Sequence, residues 1–170
     1  YNPYSTSIVT QACNDAVSDI DDQIILICNE STIINDLSYY CLKIAYSEPL
    51  LTVSNDQLGV KVYKQNLNDE LDFFAEYDTP SSVESVNSSG NIVFAGLSND
   101  KGCYIALLDD NGTQISNLSI ADGYSINNID VYENRVVLTC KSDGVLLYEF
   151  DQDLNFVELG KISTDYAYTA

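Results

Sequence analysis

Three glycines spaced by 43 and 42 residues, Gly59, Gly102 and Gly144, set the limits on what this chain can fold into. Each closes a polar turn and opens an alternating strand. The three copies read Ser54-Asn55-Asp56-Gln57-Leu58-Gly59-Val60-Lys61-Val62-Tyr63, Ser98-Asn99-Asp100-Lys101-Gly102-Cys103-Tyr104-Ile105-Ala106-Leu107 and Lys141-Ser142-Asp143-Gly144-Val145-Leu146-Leu147-Tyr148. A period of roughly 40–50 residues is that of four-stranded propeller blades. One small twisted sheet cannot hide both faces, so such units bury apolar surface by stacking radially on their neighbours.

The same four strands are predicted in each copy. The first copy gives Tyr39 to Tyr46, Leu50 to Ser54, Val60 to Gln65 and Leu71 to Tyr77. The second gives Val83 to Asn87, Asn91 to Leu97, Cys103 to Asp109 and Thr113 to Ile120, joined by Ser88-Ser89-Gly90 and Asp110-Asn111-Gly112. The third gives Ile126 to Tyr132, Arg135 to Cys140, Val145 to Phe150 and Phe156 to Ile162, with Asp143-Gly144 supplying the positive φ of a tight hairpin. β-branched and aromatic residues dominate these runs and turn pairs interrupt them about every ten residues, which argues against helix. Ile92-Val93-Phe94-Ala95-Gly96, Val136-Val137-Leu138-Thr139-Cys140 and Ile24-Ile25-Leu26-Ile27-Cys28 end in the small residues that close sheet-to-sheet approach requires.

The expected architecture is therefore all-β: a β-propeller-like array of four-stranded antiparallel blades at 39–80, 81–123 and 124–165, within one structural domain. Residues 1–38 read as an abbreviated blade or an N-terminal extension, because Asp21 to Cys28 matches Glu133 to Cys140 but leaves too little chain for two more strands. Residues 166–170 read as the start of a further strand. Three blades plus fragments lie at the low edge of ring closure, since propellers take roughly four to eight. The expectation is a trimmed piece of a longer propeller or a module whose unpaired end strands associate with other chains. A start at Tyr1, with neither Met nor a basic-then-apolar leader, also reads as processing or trimming.

The blade pattern resembles the LVIVD-repeat propellers of bacteria and archaea. Gly102-Cys103-Tyr104-Ile105-Ala106-Leu107-Leu108-Asp109 and Gly144-Val145-Leu146-Leu147-Tyr148-Glu149-Phe150-Asp151 carry the resemblance, which covers about residues 39–165. It implies a surface or secreted protein and supplies no catalytic residues.

Composition narrows function mainly by exclusion. Seven basic against 26 acidic residues leave a formal charge of −19, which repels nucleic acid and anionic lipid and attracts cations or basic partners. A halophilic or marine origin would produce the same charge without any binding role. No apolar run approaches the roughly 18 residues of a membrane-spanning helix, so membrane insertion is not expected. The chain has no His, which removes histidine-ligated metal and the Ser-His and Cys-His nucleophilic pairs. Five cysteines, Cys13, Cys28, Cys41, Cys103 and Cys140, lack the close pairing of zinc sites. Cys28 and Cys140 end equivalent inner strands and read as core, and a Cys13 to Cys28 bridge is conceivable.

The turns between third and fourth strands are acidic in every copy. Asp151, Asp153 and Asn155 place oxygen ligands at alternating positions, as Ca²⁺ requires, although Phe156 and Ile162 stand where the helix-loop calcium motif needs Gly and Glu. Turn propensity also explains these residues. Asn-x-Ser/Thr sequons occur at Asn29, Asn87, Asn111 and Asn117, of which Asn111 is the glycosylation candidate because it sits on an exposed turn. Tyr39, Tyr40, Tyr166 and Tyr168 fall on first strands and are candidates for ligand stacking or an interface, against the alternative of ordinary half-buried strand residues. No isolated carboxylate in an apolar setting marks an acid catalyst, so no enzyme activity is expected. The function expected is a non-catalytic, exported or cell-surface scaffold acting through protein contacts, including contacts with copies of itself. The alternatives are a carbohydrate- or Ca²⁺-binding module and a carboxylate-based hydrolase.

Overall fold

The computed structural model describes residue 41, residues 43–55 and residues 59–167. Among the described residues, twelve strands make three four-stranded antiparallel sheets, each an unbroken meander. The first sheet holds β1 (Ile44–Ser47), β2 (Leu50–Ser54), β3 (Val60–Gln65) and β4 (Leu71–Tyr77). In the second are β5 (Val83–Ser89), β6 (Ile92–Leu97), β7 (Cys103–Leu108) and β8 (Gln114–Ile120), and in the third β9 (Asn128–Tyr132), β10 (Arg135–Thr139), β11 (Val145–Phe150) and β12 (Phe156–Ile162). The third and fourth strands of every sheet share a register slip, after Val62, Leu107 and Leu147. Such a bulge increases local twist.

Two sequence readings are corrected. The expected turn Ser88-Ser89-Gly90 is shorter, because Ser88 and Ser89 pair with Val93 and Ile92, leaving a two-residue connection at Gly90-Asn91. The first strand begins at Ile44 among the described residues, whereas Tyr39, Tyr40, the partial blade at 1–38 and the proposed Cys13 to Cys28 bridge lie outside them. The sheets do not close on themselves among the described residues.

β5 runs beside β1 on one side and β9 on the other, so the first strands are neighbours and the sheets stack face to face in chain order. The seam between the first two sheets is built from small side chains, with Val60, Val62 and Ala75 against Val93, Ala95 and Ala106. Between the second and third sheets the seam is bulkier: Phe94, Ile105 and Ile126 meet Val136, Leu138, Leu146 and Phe150. Fully burying such a side chain contributes about 1.5–3 kcal/mol. The small end of β6 has the role its sequence implied, since a side chain at Gly96 would overlap Ser85 Oγ and come within 2.8 Å of Ile126 Cγ2.

Polar groups tie the same seam. Ile126 N–H donates to Leu97 O (2.9 Å), Asn87 Nδ2 to Ile129 O (3.1 Å), and Lys141 Nζ pairs with Glu84 at 2.7 Å. Asn87 is thus a half-buried structural residue rather than an available glycan acceptor.

The Tyr77 hydroxyl is buried with no hydrogen-bond partner, its ring tilted against Tyr104 at 6.0 Å. Burial pushes its ionisation well above the ordinary phenol value. A desolvated hydroxyl without a partner costs about 1–3 kcal/mol. Tyr77→Phe is therefore expected to stabilise the protein, by about 1 kcal/mol, as read by urea unfolding; a destabilised variant would show that the hydroxyl is satisfied.

Candidate functional site

In an up-down meander, the turn after the first strand and the turn after the third emerge at the same end of the sheet. Six turns therefore share one end here: Glu48-Pro49, Gly90-Asn91 and Glu133-Asn134, and the loops opened by Asn66, Asp109 and Asp151. The latter three are copies of one device. Asn66 Oδ1 accepts from Asn68 N–H (2.8 Å) and Glu70 N–H (3.1 Å), Asp109 Oδ1 from Asn111 (2.9 Å) and Thr113 (2.7 Å), and Asp151 Oδ1 from Asp153 and Asn155 (both 2.9 Å). The fourth residue of each loop, Asp69, Gly112 or Leu154, has the positive φ that completes it. Asx side chains bonding backbone two residues on are a strong local turn signal.

The Asp151, Asp153 and Asn155 alternation takes part in this device. Asn155 Nδ2 donates to both oxygens of Asp151, at 3.2 and 2.9 Å. No group of three or more His, Cys, Asp or Glu side chains converges on a cation-sized position among the described residues.

The staple has a pH signature. The N–H groups of Thr113 and then Asn111 hold the Asp109 carboxyl below its ordinary value, and the Asn155 side chain and backbone do the same for Asp151. A depressed folded-state value contributes stability that is present above the unfolded value and lost as pH falls through the folded one. Opposing this, protonation relieves the self-repulsion of a chain at −19. Melting temperature is thus expected to peak near about pH 5 and fall on the acid side of about pH 4. Asn66 makes the same staple without a charge, so an Asp109→Asn, Asp151→Asn double variant is expected to fold and to flatten the acid limb of a pH-dependent melting series. An unchanged acid limb would refute this assignment.

Between the sheets, these turns border neighbouring recesses. One of about 800 Å³ is lined by Glu48, Phe73, Phe74, Leu67, Asp72 and Asp110, among others. A smaller one of about 160 Å³ continues it past Pro49 and Phe74 to Gly90 and Asn91. A third, of about 630 Å³, shares Gly90 and Asn91 and extends to Glu133, Phe150 and Asp151. The acidic third turns were visible in sequence. What was missed is that the first turns join them, and meander parity is the signal that would have shown it.

A second surface is the outward face of the third sheet. Directly paired residues share a face, so Val137, Leu147, Val145 and Ile162 lie together, with Arg135 and Glu149 paired beside them. Ile162 and Val157 are 67% and 59% exposed. At its edge Ala167 N–H donates to Lys141 O (2.7 Å) and Asn127 Nδ2 to Ala167 O (3.1 Å), much as Ile126 meets Leu97 across the preceding seam.

Of the tyrosine candidates, Tyr166 is exposed next to this bridge, while Tyr39, Tyr40 and Tyr168 lie outside the described residues. Asn111 is exposed on its turn, as its sequon requires. Cys103 and Cys140 are buried thiols in the seam between the second and third sheets; burial pushes Cys103 strongly upward and Cys140 up to about 11, the reverse of what an active thiolate needs.

No protein-family model and no curated protein sequence matches this chain. Among solved structures, the computationally designed Ika8 protein superposes with a TM-score of 0.57 at 16% identity over 76% of this chain. The chain spans 39% of the length of that structure. The computationally designed Ika4 protein aligns with a TM-score of 0.49 at 13% identity, over 74% of this chain and 93% of its own. At 16% identity the likeness to Ika8 concerns the fold of this all-β chain alone.

Proposed function

We propose that this chain is a β-propeller-type scaffold module, exported or at the cell surface, that acts through protein contacts and adds a further sheet, from a second copy of itself, to the outer face of its third sheet. One observation carries the reading. Val137, Val145 and Leu147 occupy on the third sheet the positions that Phe94, Cys103 and Ile105 occupy on the second, and those three are buried by the sheet that follows. The return of Ala167 to Lys141 repeats the return of Ile126 to Leu97. A face built for sheet stacking is apolar enough to associate when its neighbour comes from another chain. The acidic composition and the exposed Asn111 sequon support export.

Sedimentation equilibrium over a wide concentration range tests the self-association. A concentration-dependent dimer is expected, and Leu147→Asp with Ile162→Asp is expected to leave a folded monomer. Wild-type protein that stays monomeric throughout would defeat the proposal.

A further inference from the structure

The turn-lined end offers a second, independent surface, and we propose that it binds an extended, basic segment of a partner protein. The three recesses follow one another along this end, neighbours sharing lining residues. The first and smallest share Pro49, Lys64, Phe74 and Asp110, and the smallest and last share Gly90 and Asn91. The result is a row of hollows, a trough in outline, that crosses the first and second seams.

Apolar side chains line its inner side. Phe73 is 57% exposed and Leu67 fully exposed at the first recess, with Phe74 beneath Lys64 Nζ at 4.9 Å from the ring centroid. Ile92, Leu107 and Phe150 line the last. Its rim is acidic throughout. Glu48, Asp69, Asp72 and Asp110 border the first recess, and Glu133, Asp151 and Asp153 the last, against the single ammonium of Lys64. The complementary occupant alternates cationic and apolar side chains. In an extended chain successive side chains point to opposite sides, so one set reaches the inner side while the other meets the rim. Stacked sheets lie about 10 Å apart, so a segment of about eight residues at 3.3 Å each reaches from the first seam to beyond the second. A compact cation would use the rim and leave the exposed aromatic and leucine side chains uncovered. A nucleic acid would be repelled.

The probe is a fluorescent Lys-Leu alternating octapeptide, with Lys-Ser and Glu-Leu octapeptides as comparisons, followed by anisotropy. The Lys-Leu peptide is expected to bind, at least tenfold tighter than Lys-Ser and with no detectable binding of Glu-Leu. Because a chain at −19 attracts any polycation, the decisive comparison is between two variants of equal charge. Neutralising the rim with Glu48→Gln, Asp69→Asn, Asp72→Asn and Asp110→Asn is expected to weaken binding at least tenfold. Neutralising exposed residues away from the trough with Glu76→Gln, Asp78→Asn, Asp122→Asn and Asp143→Asn is expected to change it less than threefold. Phe73→Ser, at an exposed position, is expected to weaken Lys-Leu and leave Lys-Ser unaffected. Equal weakening by the two charge variants, equal binding of Lys-Leu and Lys-Ser, or no binding would overturn the proposal. The readout is independent of self-association, since none of these residues lies on the outer face of the third sheet.

Discussion

Gly102→Ala is expected to destabilise the protein by about 3–4 kcal/mol. Gly102 has φ +70°, and an alanine Cβ there would overlap the Ile120 carbonyl oxygen and lie 2.8 Å from that of Ala121. The left-handed conformation costs an L-residue about 1–2 kcal/mol. The overlap adds more, because the obstacle is backbone of the neighbouring strand and moves only if the β7–β8 pairing moves with it. Gly59 and Gly144 meet the same obstacle, the carbonyls of Tyr77 and Ile162. Gly90 separates the two contributions: its φ is +58° but nothing lies within 4 Å of its Cβ position. Gly90→Ala is expected to cost about 1 kcal/mol. Urea unfolding of the two variants gives the difference, and a Gly102→Ala cost no larger than that of Gly90→Ala would show that strand proximity contributes nothing.

This shared obstacle explains why the glycine spacing was legible. A residue that must leave space for the last strand of every sheet recurs at the sheet period, whatever else drifts. Strand positions were readable for the same reason, to within a few residues. Ser88 and Ser89 misled because serines beside glycine have turn composition, yet a two-residue hairpin already satisfies the connection and their backbone is free to pair with Ile92 and Val93. The Asp151, Asp153 and Asn155 spacing was read both as oxygen ligands in alternation and as turn propensity. The same spacing is that of a staple whose acceptor bonds the second and fourth residues after it, and Asn66 in the first sheet makes that staple without a charge. The trough was legible only through meander parity, not through composition. It depends on residues more than 80 apart, Glu48 and Glu133 among them, arriving at one end, and local composition carries no information about that.

The second large effect is expected at Phe94. It is fully buried and holds the second seam together, its ring meeting Phe150 at 5.4 Å and Phe156 at 6.3 Å in edge-on arrangements. The corresponding residue is Thr52 in the first sheet and Val137 in the third, so no other seam among the described residues depends on a ring at this position. Phe94→Ala is expected to cost about 3–5 kcal/mol, a large share of the 5–15 kcal/mol that stabilises a typical domain. Phe94→Leu keeps most of the volume and is expected to cost far less, and Tyr132→Ala, 74% exposed, less than about 0.5 kcal/mol. In a stack where each sheet touches only its neighbours, stability is nearly a sum of sheet and seam contributions. Weakening one seam then releases what lies beyond it before it unfolds what lies behind. Amide exchange in Phe94→Ala is therefore expected to accelerate in β10 and β11 while β2 and β3, held by the separate Val60–Val93 seam, keep most of their protection. Equal acceleration in all three sheets would mean that they fold as one indivisible unit, and the third sheet would then lack the independence that a stacking module needs.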